Sequence, residues 1–157
     1  MEAKVTWKQN LAFECVADSG KPIFTDSASD PAQRLGPGPM EMVAMSLGSC
    51  SAMDVISILQ KKQQDVTAFE VKVYTDRSEN YPKVFTRATM EYQVTGHAVE
   101  EAAVLRAIEL SLEKYCPVHA MLSQVFPIDV TYLVCEDEGD GSRRVVAEGS
   151  FLPPEAE

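Results

Sequence analysis

Two cysteines stand where a thiol could react. Cys50 lies inside a long apolar run, Pro39 to Leu59. At about 100° per residue, Val43, Ser46, Cys50, Asp54 and Ser57 share one stripe of a helix. That stripe is half polar on an otherwise apolar helix. Either Cys50 is a small buried hydrophobe, with Ser46 and Ser57 bonded back to the preceding turn, or it faces a small polar pocket. The second spot is Cys116-Pro117-Val118-His119. Pro117 suits the first position of a helix, which makes Cys116 its cap. There a thiolate meets unpaired N–H groups and the positive end of the dipole, so its pKa should fall. Lys114 and His119 add positive charge nearby. Cys50, mid-helix and one turn from Asp54, should have its pKa raised by burial and by the neighbouring carboxylate. Local physics therefore predicts Cys116 as the readier nucleophile. The bland alternative is a small residue before a proline.

Other chemistry is weighed on the same residues. Cys116 and His119 have a C-x-x-H spacing to which Cys50 could add a third ligand. Closed zinc sites usually need two such pairs, and neither His97 nor Cys135 supplies one. No metal and no cofactor is expected. A Cys–His–acid triad would need His119 beside Cys50, which spacing alone cannot place.

The elements that must hold these residues follow from periodicity. Pro39 opens the long helix, Glu41 sits in its first turn, and Lys61 and Lys62 close it. Apolar residues occur all round it, so most of its faces should be buried. Only Met42 to Met53 is free of charge, short of the ~20 residues a bilayer span needs, so no membrane span is expected. Before the helix, Ala3, Val5 and Trp7 alternate with Lys4, Thr6 and Lys8 as a half-buried strand. Leu11, Phe13 and Cys15 continue the alternation. Asp18-Ser19-Gly20 is a turn, and Pro22-Ile23-Phe24 returns as an edge strand. Residues 25–38 read as a loop. After the helix, 69–75 and 84–94 alternate as two strands of a hairpin. Residues 98–115 form a helix with Ala103, Val104, Ala107, Ile108, Ser111, Leu112 and Tyr115 inward. A short helix over 117–124 and a strand with Ile128, Val130, Tyr132 and Val134 complete the domain.

The order is β-meander, long central helix, β-hairpin, helix pair, final strand, an α+β architecture over residues 1–135. Residues 136–157 carry seven acids and two Arg. They read as an acidic, mobile tail, the alternative being a late strand over 143–147 at a sheet edge. The chain of 157 residues is long enough for one domain with a real core. Its net charge of -10 argues against nucleic-acid and anionic-membrane partners. The first residues lack a signal-peptide h-region, so a reducing cytoplasmic location is expected. There, four cysteines are reactive or inert rather than a disulfide framework. So few strands cannot cover every face of the long helix, which points to a dimer.

Pro39-Met40-Glu41-Met42-Val43 leading to Gly48-Ser49-Cys50-Ser51-Ala52, then Tyr115-Cys116-Pro117 after a helix, then a last strand, resemble the OsmC/Ohr superfamily (osmotically inducible protein C and organic hydroperoxide resistance). The Met40-Glu41 spelling resembles a less characterised OsmC-like branch, and the order of elements agrees from about residue 3 to 135. The resemblance implies an intertwined homodimer with its site at the subunit interface. It also implies a thiol-dependent peroxidase that takes a small organic hydroperoxide and a dithiol reductant. Carried over, Cys50 is peroxidatic and Cys116 resolving, a route that thiol chemistry permits. Two positions depart from the family's peroxidases. Residues 1–33 contain no Arg, and Met40 follows Pro39 where those enzymes have Glu. The alternative reading is a non-enzymatic OsmC-like dimer holding a small apolar ligand at the interface. It is the missing Arg that favours this alternative.

Overall fold

The computed structural model describes residues 1–151, which form two compact units, Met1–Val43 and Ala44 onward. In the first unit, β1 (Ala3–Gln9), β2 (Ala12–Ala17) and β3 (Ile23–Thr25) make the antiparallel meander in the order β1-β2-β3. Its register pairs Val5 with Cys15, and Phe13 with Thr25. Gly20, at φ +70, closes the turn between β2 and β3 and donates its N–H to the Ala17 carbonyl at 2.9 Å. The loop that follows is ordered by the buried Asp26 carboxylate, which accepts from Ala28 N at 2.9 Å and Leu35 N at 3.2 Å. One expectation fails here. β1 is exposed along its whole length, with Val5 61% and Trp7 63% accessible, so its apolar face lies uncovered in the single chain.

Helix α1 (Pro39–Lys61) begins in the first unit and runs into the second. Glu41, third in the helix, accepts the Gly38 N–H at 2.5 Å, half of a capping box.

The second unit is a four-stranded sheet with helices on one face. β4 (Asp65–Arg77) and β5 (Phe85–His97) form the expected hairpin, longer at both ends than the alternation suggested. β6 (Ile128–Asp137) lies parallel to β5, which requires a crossover, and α2 (Glu101–Leu110) and α3 (Pro117–Leu122) supply it. Alternation puts Ala88, Met90, Tyr92 and Val94 of β5 on the same face as Val130, Tyr132 and Val134 of β6, all of them buried. The helices cover that face. Leu47, Ser51, Val55 and Leu59 form one fully buried row of α1 at four-residue spacing. From α2 come Ala103, Val104, Ala107 and Ile108. Each large apolar side chain so buried is worth roughly 1.5–3 kcal/mol.

The acidic segment contradicts the mobile-tail reading over part of its length. β6 runs on to Asp137, and Arg143–Phe151 form β7, antiparallel to β6 at the edge of the order β4-β5-β6-β7. Charge pairing across the turn explains why: Arg143 lies opposite Asp137, and Arg144 Nε bonds Glu138 Oε1 at 3.1 Å. Net acidity hid alternating signs placed opposite each other. The rest of the tail reading, Leu152 onward, lies outside the described residues.

Two further expectations change. Within the chain α1 buries that row and Gly48 beside it, and Met45 and Met53 are 60% and 70% exposed. By length and composition alone α1 could cross a bilayer, with a mean hydropathy of 1.6 in its most apolar window. Here, however, it rests on the sheet: Gly48 sits so close to β4 that a Cβ would meet Val73 Cγ2 at 2.9 Å. The helix over 98–115 is also not uniform. Residues Ser111–Tyr115 form a π-turn in which Cys116 N bonds Ser111 O at 2.8 Å. The wider turn keeps Ser111 buried and leaves Tyr115 48% exposed, where the regular helix would have brought it inward.

Candidate functional site

The two cysteines meet. Cys50 comes from the middle of α1, Cys116 from the junction of the π-turn and α3, and the two thiols lie within electrostatic reach of each other. Both are free thiols, Cys116 buried at 2% exposure and Cys50 partly open. Cys116 does cap α3, its sulfur accepting the His119 N–H at 3.3 Å.

The ionisation expected from that cap is overturned. Burial pushes the Cys116 thiol up to about 11, and the hydrogen bond and charge of Cys50 push the same way. The cap's N–H bonds oppose this and are outweighed. Cys116 thus keeps its proton at neutral pH. His119 adds no charge here. Its Nδ1 lies 3.1 Å from the Leu112 carbonyl, and burial lowers its pKa, which favours the neutral ring with Nδ1–H donating. The C-x-x-H pair therefore diverges, sulfur toward Cys50 and imidazole toward Leu112. Among the described residues no three His, Cys, Asp or Glu side chains gather as a metal site.

The Nε atoms of Arg34 and Arg77 bond backbone carbonyls, of Ala28 at 2.8 Å and of Lys83 at 3.0 Å, and Arg87 pairs with Asp129 at 2.5 Å.

Behind the thiols runs a polar chain that the helix stripe revealed only in part. Cys50 and Asp54 share a side of α1 as the stripe requires, and both lie within electrostatic reach of the Tyr92 hydroxyl. Ser111 Oγ donates to Asp54 Oδ2 at 3.1 Å, Ser51 Oγ lies 2.8 Å from Ser111 Oγ, and Tyr92 Oη lies 2.6 Å from Ser51 Oγ. Ser51, Ser111 and Tyr92 are all fully buried. Burial raises Tyr92 far above the ordinary phenol range, so it stays a neutral hydroxyl. Sequence reading passed over Ser51 and gave Tyr92 and Ser111 no chemical role. The signal was present: each is a hydroxyl at a core position, and a buried hydroxyl left unpaired costs about 1–3 kcal/mol.

A cysteine pair bridging a long central helix and the turn after a second helix, beneath a mixed sheet, defines the class. The chain belongs to the OsmC-like protein family, whose sequence model matches residues 30–131. Among individual proteins it is similar to Protein YhfA of Escherichia coli strain K12, at 45% identity over 134 residues, covering 85% of this chain and 98% of that one. The structure of a hypothetical protein from Aquifex aeolicus VF5 superposes with a TM-score of 0.77 at 31% identity, over 87% of this chain and 97% of that one. The organic hydroperoxide resistance protein OhrB of Bacillus subtilis shares the fold, with a TM-score of 0.56 at 16% identity over 84% and 98% of the two chains.

Proposed function

We propose that the protein is a thiol-dependent peroxidase that reduces organic hydroperoxides through Cys50 and Cys116. The observation that carries this reading is that two free thiols from separate elements lie within electrostatic reach of each other. The family includes proteins named for organic hydroperoxide resistance. Cys50 is the open member of the pair and Cys116 the buried one. In the first step the Cys50 thiolate attacks the peroxide. The O–O bond breaks, the alkoxide takes a proton from water and leaves as alcohol, and Cys50 becomes a sulfenic acid. Cys116 then attacks that sulfur, water departs, and a disulfide remains for a dithiol to reduce. The working unit is a homodimer, as is general in the family. The uncovered Val5 and Trp7 of β1 and Met45 and Met53 of α1 are the surfaces a second copy would cover.

The test is turnover of cumene hydroperoxide with a dithiol, with peptide mapping after substoichiometric peroxide. Turnover should vanish in Cys50→Ser. Cys116→Ser should accumulate sulfenic acid, and the map should show a Cys50–Cys116 bridge with Cys15 and Cys135 free. No turnover and no bridge in the intact protein would leave the non-enzymatic binding dimer as the better reading.

A further inference from the structure

We propose that Ser111 is the positioning residue for disulfide formation: it pins the π-turn to α1 and so sets Cys116 where it can bond Cys50. This rests on the Cys50/Cys116 reading above and adds what holds the second thiol in place.

The pin is a set of hydrogen bonds between neighbouring elements. Ser111 Oγ lies 2.8 Å from Ser51 Oγ, 3.1 Å from Asp54 Oδ2 and 3.5 Å from the Ser51 carbonyl. Ser51 and Asp54 stand at i and i+3 on α1, where side chains are neighbours, and Ser51 follows Cys50 directly. Whichever way the hydroxyl protons point, Ser111 is tied to α1 beside Cys50. Its carbonyl accepts the Cys116 N–H at 2.8 Å. One residue therefore holds the Cys50 helix with its side chain and Cys116 with its backbone. Within Ser111–Tyr115, Ser111 is the buried residue, so the turn has no second anchor in the core. The register matters as well. In an α-helix Tyr115 N would take the Ser111 carbonyl. The π-turn gives that carbonyl to Cys116, a change worth about 100° round the helix axis. On the far side, α3 is closed back on the same turn. The His119 N–H meets Cys116 Sγ at 3.3 Å, and His119 Nδ1 lies 3.1 Å from the Leu112 carbonyl.

The step served by this placement balances. Cys116 Sγ attacks the sulfenic sulfur that an organic hydroperoxide has made of Cys50. The S–S bond forms and the S–O bond breaks, Cys116 is oxidised and the Cys50 sulfur reduced, and hydroxide and the Cys116 proton leave as water. Positioning acts here by raising the effective concentration of Cys116 at Cys50. The earlier attack of Cys50 on peroxide does not involve it.

The test titrates full-length protein with reduced and oxidised glutathione at pH 7 and counts the Cys50–Cys116 bridge by peptide mapping. The equilibrium constant gives the effective concentration of one thiol at the other and needs no peroxide. The folded parent should exceed the urea-unfolded chain by about 100-fold or more. Ser111→Ala and Asp54→Ala should each lower it about tenfold, which raises the potential of the pair by about 30 mV. Asp54→Asn still offers Ser111 a hydrogen-bonding group and should keep the parent value, whereas a purely electrostatic carboxylate would make it match Asp54→Ala. Tyr92→Phe takes a hydroxyl from the same buried cluster without touching the turn. It should lower the urea midpoint and leave the effective concentration at the parent value, which separates positioning from stability. Parent values in Ser111→Ala and Asp54→Ala, with native circular dichroism, overturn the pin, and so does a loss in Asp54→Asn or Tyr92→Phe equal to theirs. If Ser111→Ala does not fold, Asp54→Ala decides. The expected glutathione shifts without peroxide turnover defeat the peroxidase reading alone, and turnover with unshifted titrations defeats the pin alone.

Discussion

Cys116 should be the slow thiol. A free thiol near 9.0 held instead at about 11 has its thiolate fraction at neutral pH cut about 100-fold. A more basic thiolate is a better nucleophile, and at a Brønsted slope of about 0.4–0.5 this returns roughly tenfold toward a disulfide reagent. The net loss from ionisation is therefore about tenfold relative to the unfolded chain, and 2% exposure slows access further. The assay is a time course with 4,4'-dithiodipyridine at pH 7, quenched and mapped by peptide. Cys50 should be modified first, and Cys116 at least tenfold more slowly than in the urea-unfolded protein. Cys50→Ser should quicken Cys116 only partly. It removes the hydrogen bond and charge of Cys50, while burial, the largest cause, stays in place. Modification of Cys116 ahead of Cys50, or at the unfolded rate, would refute a buried Cys116 that holds its proton.

Two further outcomes follow from particular residues. The Cys116 pKa is higher folded than unfolded, so the stability it lends is complete below about pH 9 and is lost as pH rises through about 11. Urea melts between pH 8 and 11 should show this fall, and Cys116→Ser should flatten it. Gly96→Ala should cost more than about 3 kcal/mol in the same melts. Its Cβ would lie 2.0 Å from the Asp65 carbonyl oxygen and 2.8 Å from Val99 Cγ2, and a carbonyl at a strand start cannot retreat that far.

Much of the fold could be read from periodicity, because strands with one buried face and helices with one buried row write their burial into the sequence. The alternation of β5 and β6, the long α1 and the inward stripe of α2 all appear where expected. The differences arise where a partner distant in sequence decides. β7 depends on Arg143 and Arg144 finding Asp137 and Glu138 across a turn. The π-turn over 111–115 depends on Ser111 reaching Ser51 and Asp54. The uncovered faces of β1 and α1 cannot be closed by this chain's local pattern at all.

The site shows the same division more sharply. A stripe on one helix placed Cys50 and Asp54 together correctly, since helical spacing is a local property. The cap on Cys116 was also legible, and the His119 N–H does meet its sulfur. What could not be read was which influence on Cys116 is larger. A helix terminus contributes at most about 2 kcal/mol to a partly buried charge, and α3 has only six residues. Burial of an ionisable group can outweigh that severalfold, and burial of Cys116 is imposed by packing that involves α1, the sheet and the π-turn together. The residue that looked activated in sequence is therefore the one that holds its proton in the fold. Under the proposed function, its reactivity belongs to the moment when Cys50 becomes an electrophile, which is what a resolving thiol requires.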